Sequence, residues 1–281
     1  MKIQKNIPKK FQPNKILNPN SSEIVYPPNN EVPLEVQFYD NFIKHQPKTT
    51  LTYLPIFWTN YYIKNNYGDN DNGVLQKYLD SLDKRKKYFT IVQYADGILN
   101  DISNLNLTVF SAGGKGDIPI PLTNIVKFNK QFPKKWLGCF VGNSGTHPVR
   151  KKILNSNLKN LGRWCISDKF IKNEEYMKIM SESKYCLCPR GYGKTSFRIN
   201  EAMSVGTIPI YISDDLWLPF FNEFEQGFTF GENEIDKIDE FLVNYDMEDP
   251  TKYDALVAKS DKIFNEFYTS DALYNKIIEL A

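Results

Sequence analysis

The residues best suited to chemistry fall in one stretch, KYCLCPRGYGKTSFRINEAMSVGTIPIYISDDLWLPF, residues 184–220. It reads as an apolar strand ending at Pro189, a loop broken by Gly191 and Gly193, and a helix capped by Thr195 or Ser196. Strand, glycine loop and helix start together make an anion site, because free backbone N–H groups and the positive end of the helix dipole point at the loop. Arg190, Lys194 and Arg198 add fixed positive charge there. Glu201 follows Arg198 within one helical turn, so a guanidinium for phosphate and a carboxylate for hydroxyls share the start of the helix. A carboxylate accepting from two adjacent hydroxyls is how nucleotide ribose is commonly held.

Other readings fit some of these letters. Gly193-Lys194-Thr195 mimics the end of a P-loop, but Cys188 stands where that motif needs its first glycine. An ordinary strand–helix turn with solvated charges also fits. Asp69-Asn70-Asp71 has the Asp-x-Asp spacing of metal-dependent transferases, yet it lies in NNYGDNDNG, a polar turn, and Gly73 comes one place early for a calcium loop. The four cysteines contain no CxxC pair, and the two histidines, His45 and His147, lie far apart. No metal site or cofactor is expected. Cys186 and Cys188 share a strand face and read as small buried thiols rather than a redox pair.

Composition sets the remaining bounds. Lys+Arg 35 against Asp+Glu 33 gives a net charge of +2 over 281 residues, which excludes a global field drawing the chain to nucleic acid or an anionic bilayer. No run approaches the roughly 18–20 apolar residues of a membrane span. The opening MKIQKNIPKKFQPNK is basic with no apolar stretch after it, so a soluble, cytoplasmic chain is expected.

The elements that must position the site alternate strand with helix. Residues 1–33, rich in Pro, Asn and Lys, read as an extended arm without helix. A first domain over 34–130 holds a short helix at VQFYDNFIKH, strands at LTYLPIFW, YFTIVQY and LNLTVF, a helix over VLQKYLDSLDKRKK, and a short apolar run at IPIPL. The polar segment KFNKQFPKK, 127–135, marks a boundary. A second domain over 131–255 restarts with WLGCFVG and repeats the pattern through RWCI, KYCLCP and TIPIYI, with helices between; 256–281 is a helical tail.

The 184–220 segment closely resembles the exostosin domain of inverting glycosyltransferases. The shared elements are Pro189-Arg190-Gly191, Ser196-Phe197-Arg198, Glu201-Ala202, Gly206, Ile208-Pro209-Ile210, Asp214 and Leu218-Pro219-Phe220. GCFVGNSGTHPVRKKIL is similar to the strand, loop and helix that open that family's donor domain, with Gly142, Asn143, Thr146 and Arg150 at the places that approach the diphosphate. YLPIFWT, YFTIVQYADG and GDIPIPL are similar to its acceptor-domain segments.

The resemblance implies a GT-B fold, α/β, with two Rossmann-like domains facing a cleft and a C-terminal tail that returns to the first. It implies transfer of a sugar from a nucleoside diphosphate sugar, UDP the expected carrier, to a glycan acceptor in polysaccharide biosynthesis. Arg150, Arg190, Lys194 and Arg198 would then hold the leaving diphosphate, with Gly142, Asn143, Thr146, Gly191 and Ser196 around it and Glu201 on ribose or sugar hydroxyls. Retaining GT-B enzymes often carry a second glutamate where this chain has Gly193, so inversion is expected. Asp96 is the candidate base, although an Asp-Gly turn explains it equally well. Trp58 and His147 are the acceptor-side candidates, with Tyr61 and Tyr62 as further aromatic faces. A catalytically inactive module that binds nucleotide or glycan and partners an active transferase is the alternative.

Overall fold

The computed structural model describes residues 1–13, 32–123, 128, 132–169, 171–221 and 223–281. Two compact units make up the chain, Met1–Leu122 with Ser270–Ala281, and Thr123–Thr269. Most of the arm expected over 1–33, and part of the break expected over 127–135, lie outside the described residues.

The first unit is built on a four-stranded parallel sheet whose spatial order follows the chain: β1 (Thr52–Tyr53), β2 (Lys87–Val92), β3 (Asn106–Ser111) and β4 (Ile118–Pro119). Beyond Lys87, every residue of β2 is buried, the continuous apolar pattern of a strand covered on both faces. Helix α1 (Leu34–His45) lays Phe38 and Phe42 against Tyr53 and Phe89. The strand expected over LTYLPIFW stops at Tyr53. Pro55 has no N–H for a ladder, and the aromatics at 58, 61 and 62 repeat at helical spacing, so α2 (Trp58–Lys64) forms instead. Helix α3 (Val74–Asp80) ends short of the expected Lys87, because the Asp83 carboxylate accepts from the Arg85 N–H and turns the chain. In the arm, Ile3 bridges to Tyr53 and Lys9–Phe11 form a 3-10 turn, which the sequence did not suggest. That turn seats Phe11 in the core against Tyr61 and Tyr78.

The second unit is a five-stranded parallel sheet of β5 (Trp136–Val141), β6 (Trp164–Ser167), β7 (Ser183–Pro189), β8 (Ile208–Ile212) and β9 (Phe228–Phe230), in the order β6-β5-β7-β8-β9. Strand β9, three residues long, is too short to show a period and was not expected. Its helices are α4 (Pro148–Asn155), α5 (Asn173–Ser181), α6 (Phe197–Ser204), α7 (Ile238–Glu248) and α8 (Pro250–Ile263). Side chains alternate across β7: Tyr185 and Leu187 face Val149, Ile153, Ile238 and Leu242 of α4 and α7. Cys186 and Cys188 face Met177, Met180, Ile199 and Met203 of α5 and α6, and they are free thiols, as their spacing suggested.

From β5 the chain steps outward to β6 and then crosses back past β5 to β7, so the direction of winding reverses between β5 and β7. Open parallel sheets bind ligands at the carboxyl ends of the strands flanking such a reversal. The last helix, α9 (Ser270–Leu280), belongs to the first unit, where Tyr274 packs on Phe38 and the Ala281 carbonyl accepts from the Thr50 and Leu51 N–H groups. Both units are thus parallel α/β, the class expected. Among the described residues, no helix is long and apolar enough to cross a membrane.

Candidate functional site

The carboxyl ends of β5 and β7 lead into Gly142 and Arg190. Three arginines meet around them. Arg198 lies in the first turn of α6, whose N-cap Ser196 accepts the Arg198 N–H through its Oγ at 3.4 Å. Its guanidinium reaches back over β5: Nη2 donates to the Val141 carbonyl at 2.8 Å, and the group lies 4.9 Å from the Phe140 ring centroid. Arg150 comes from α4, a helix started by His147 as cap and Pro148 at its first position. Buried to 8% exposure, it donates from Nε to the Arg190 carbonyl at 3.1 Å, from Nη1 to Asn143 at 3.4 Å and from Nη2 to Pro189 at 3.5 Å.

The electrostatics of this cluster are unbalanced. Burial, reinforced by the charge on Arg198, pulls the Arg150 guanidinium down to about 9, so it stays protonated at neutral pH. On Arg198 burial acts the same way, but Tyr176, Glu201, Cys186 and Cys188 outweigh it and hold the group above its usual range. Tyr176 of α5 donates its phenolic O–H to Glu201 Oε2 at 2.7 Å, and burial followed by the Glu201 charge keeps that phenol protonated. Among the described residues, the hydrogen-bond acceptors of Arg150 and Arg198 are backbone carbonyls. Among the described residues, the Nε atoms of Arg190 and Arg198 and the Thr146 Oγ1 are buried without a hydrogen-bond partner. Positive charge and donors left unmatched at a sheet crevice suit an anion.

His147, an acceptor-side candidate in the sequence, caps α4 beside this group. Its Nδ1 accepts the Val149 N–H at 3.4 Å and stands 3.7 Å from Glu232 Oε2. Burial lowers its pKa; Glu232 opposes that, while Arg190 and Arg150 add to it. The lowered pKa and the hydrogen bond accepted at Nδ1 both favour the neutral imidazole.

The other expected residues divide. Gly191 closes the loop by donating to the Thr195 carbonyl at 3.3 Å, and an added Cβ there would stand 3.5 Å from Arg150 Nη2. The Asn143 side chain accepts from Gly145 N–H, shaping the loop, while its carbonyl serves Arg150. Lys194 turns elsewhere: its amine pairs with Asp215 at 2.8 Å and lies 5.5 Å from the Trp217 ring centroid. Trp58 is wholly buried, its indole N–H donating to Thr90 Oγ1 at 2.8 Å, so it is a core residue and not a stacking face for a sugar. Asp96, in the first unit, is 62% exposed and 3.4 Å from Lys115, within a turn completed by Gly97 at φ 71°. Asp71 accepts from the Leu75 N–H and the Tyr61 hydroxyl, the work of a polar turn.

Sequence reasoning missed Tyr176, whose link to Glu201 bridges two helices and leaves no local signal. It also missed Glu35, wholly buried beneath the end of β2. Glu35 Oε1 accepts from the Gln93 N–H at 3.0 Å and the Thr59 hydroxyl at 2.6 Å, while Oε2 has no partner among the described residues. Glu35 lies just before the helix expected over VQFYDNFIKH, and nothing in the local sequence marks it for burial.

Residues 108–227 match the sequence profile of the Exostosin GT47 domain, a span that holds all three arginines. A probable glucuronosyltransferase of Oryza sativa subsp. japonica is 34% identical over 86 residues, 30% of this chain and 20% of its own length. A probable glycosyltransferase of Arabidopsis thaliana is 32% identical over 109 residues, covering 38% and 22%, and a probable beta-1,4-xylosyltransferase of the same plant is 35% identical over 72 residues, covering 25% and 18%. The chain thus spans about a fifth of these relatives. Resemblance to solved structures is loose: the crystal structure of TarM overlays with a TM-score of 0.44 at 10% identity, over 88% of this chain and 58% of that one. By its matched segment, residues 108–227, this chain is similar to the Exostosin GT47 domain.

Proposed function

We propose that this protein is a glycosyltransferase that moves a sugar from a nucleoside diphosphate sugar, carried on UDP, to a glycan acceptor with inversion and without a metal ion. One observation carries the reading: buried, like-charged Arg150 and Arg198 meet at the β5/β7 reversal with backbone carbonyls as their described acceptors. A diphosphate supplies the missing counter-charge. As the bond to the anomeric carbon breaks, negative charge grows on the leaving phosphate, and guanidiniums already in place stabilise it more than they stabilise the ground state. Arg150, Arg190 and Arg198 take that role, with Lys194 held outside by Asp215. Glu201, oriented by Tyr176, accepts from ribose or sugar hydroxyls.

The acceptor hydroxyl loses its proton as the anomeric carbon becomes oxocarbenium-like, and Asp96 of the first unit is the proposed base. Gly193, standing where retaining enzymes carry a glutamate, supports inversion. Relatives named for glucuronosyl and xylosyl transfer make UDP-glucuronic acid and UDP-xylose the first donors to try, with an oligosaccharide acceptor of the kind found in wall or matrix polysaccharides.

A second reading, a nucleotide- or glycan-binding module without turnover, is favoured by the exposure of Asp96 and its ordinary pairing with Lys115. A transfer assay in EDTA, with product anomers assigned by NMR, separates the two. Metal-free transfer to the inverted anomer, lost in R198A, supports the enzyme. UDP binding without transfer from any donor supports the module.

A further inference from the structure

Tyr192 stands out from its surroundings. At 77% exposure it is the most exposed large hydrophobic side chain described, in a chain whose other rings are mostly packed. Its loop leaves the carboxyl end of β7 and enters α6, and so belongs to the arginine cluster. Glycines flank it on both sides. The loop is closed by the hydrogen bond from Gly191 N–H to the Thr195 carbonyl, 3.3 Å, which makes residues 191–195 a closed bend that includes Tyr192. The neighbouring Gly191 is close enough to Arg150 that a Cβ there would lie 3.5 Å from Nη2. Tyr192 is thus an exposed ring next in sequence to a glycine that neighbours a cluster guanidinium.

A nucleoside diphosphate has three parts to recognise, and the cluster accounts for two. Arginines suit the phosphates, and Glu201 with Tyr176 suits the hydroxyls. The flat aromatic base remains. We propose that Tyr192 is the residue that stacks on the nucleobase of the bound nucleotide, an assignment that rests on the donor-site reading above. Stacking needs only a ring face and little desolvation of polar atoms, and an exposed residue between glycines can swing to meet a base without disturbing the strand or helix that hold the arginines. Because every base has a π-face, Tyr192 contributes affinity for nucleotides generally, and the choice of base lies with other groups.

Calorimetric titration of UDP, GDP and inorganic pyrophosphate into wild type, Y192F, Y192A and R198A tests this. Removing an aromatic from a stacked base weakens binding by roughly fivefold to a hundredfold, so Y192A should lose that much for both nucleotides while Y192F stays near wild type. Pyrophosphate, which has no base, should bind Y192A and wild type alike, and R198A should lose all three ligands. Equal losses of nucleotide and pyrophosphate in Y192A, or no loss of either, overturn the assignment while leaving the donor site standing. Failure of wild type to bind any of the three overturns both.

Discussion

A Cβ placed on Gly142 would lie 1.8 Å from Nη2 of Arg198. The glycine is therefore not a hinge but a vacancy: the guanidinium lies where a side chain would be, in hydrogen bond with the preceding carbonyl and over the Phe140 ring. Sequence spacing put these two residues in separate segments, and strand pairing between β5 and β7 brings them together.

Replacing Gly142 with alanine should accordingly reproduce the loss of Arg198. The displaced guanidinium loses its charge-assisted anchor, and UDP binding should weaken by roughly 10- to 100-fold in G142A, with folding retained by circular dichroism. An affinity within twofold of wild type would show that the guanidinium finds another productive position.

Tyr176 acts through Glu201 and should reveal itself by selectivity. Y176F removes the donor that fixes the carboxylate, so UDP should bind about three- to tenfold more weakly, whereas 2′-deoxy-UDP, lacking one hydroxyl partner, should change less. Matching losses for the two ligands would mean that Tyr176 supports packing and not hydroxyl recognition.

Asp96 can be tested apart from donor binding. In D96N, kcat for transfer should fall at least about 100-fold while the UDP dissociation constant holds. If kcat is unchanged, the base lies elsewhere and Asp96 is the turn residue that its pairing with Lys115 describes.

Glu35 gives a prediction about pH. Burial, opposed by hydrogen bonds from Thr59 and Gln93, raises its pKa above the unfolded value. The folded state therefore favours the protonated carboxyl, a contribution fully present below the unfolded pKa and lost as pH rises through the folded one. Denaturant unfolding from pH 4 to 8 should show E35Q gaining stability on wild type as pH rises. Curves that run parallel across those pH values would contradict the raised pKa.

Much of this was legible in the letters because most strands of the second unit are apolar runs and three of its helices, α4, α6 and α8, start on side-chain caps. Of the two caps the sequence offers for α6, Thr195 and Ser196, it is Ser196 that takes the role. The first unit was harder. LTYLPIFW has the composition of a strand, but a proline and a helical aromatic spacing decide against it, and Trp58 went from a proposed sugar face to the core with that change. Lys194 shows the other limit: a lysine beside a glycine loop looks like a phosphate ligand until Asp215, brought near by the end of β8, takes its charge. Pairings made across strands and helices, such as Tyr176 with Glu201, leave no trace in local sequence.

The central claim is that the arginine cluster at the β5/β7 reversal holds a nucleoside diphosphate without a metal. Titrating UDP into wild type and R198A in the presence of EDTA tests it most directly. Saturable binding to wild type, unaffected by the chelator and weakened at least about tenfold in R198A, is the predicted result. Binding that needs added divalent cation, or that R198A retains in full, would contradict the account.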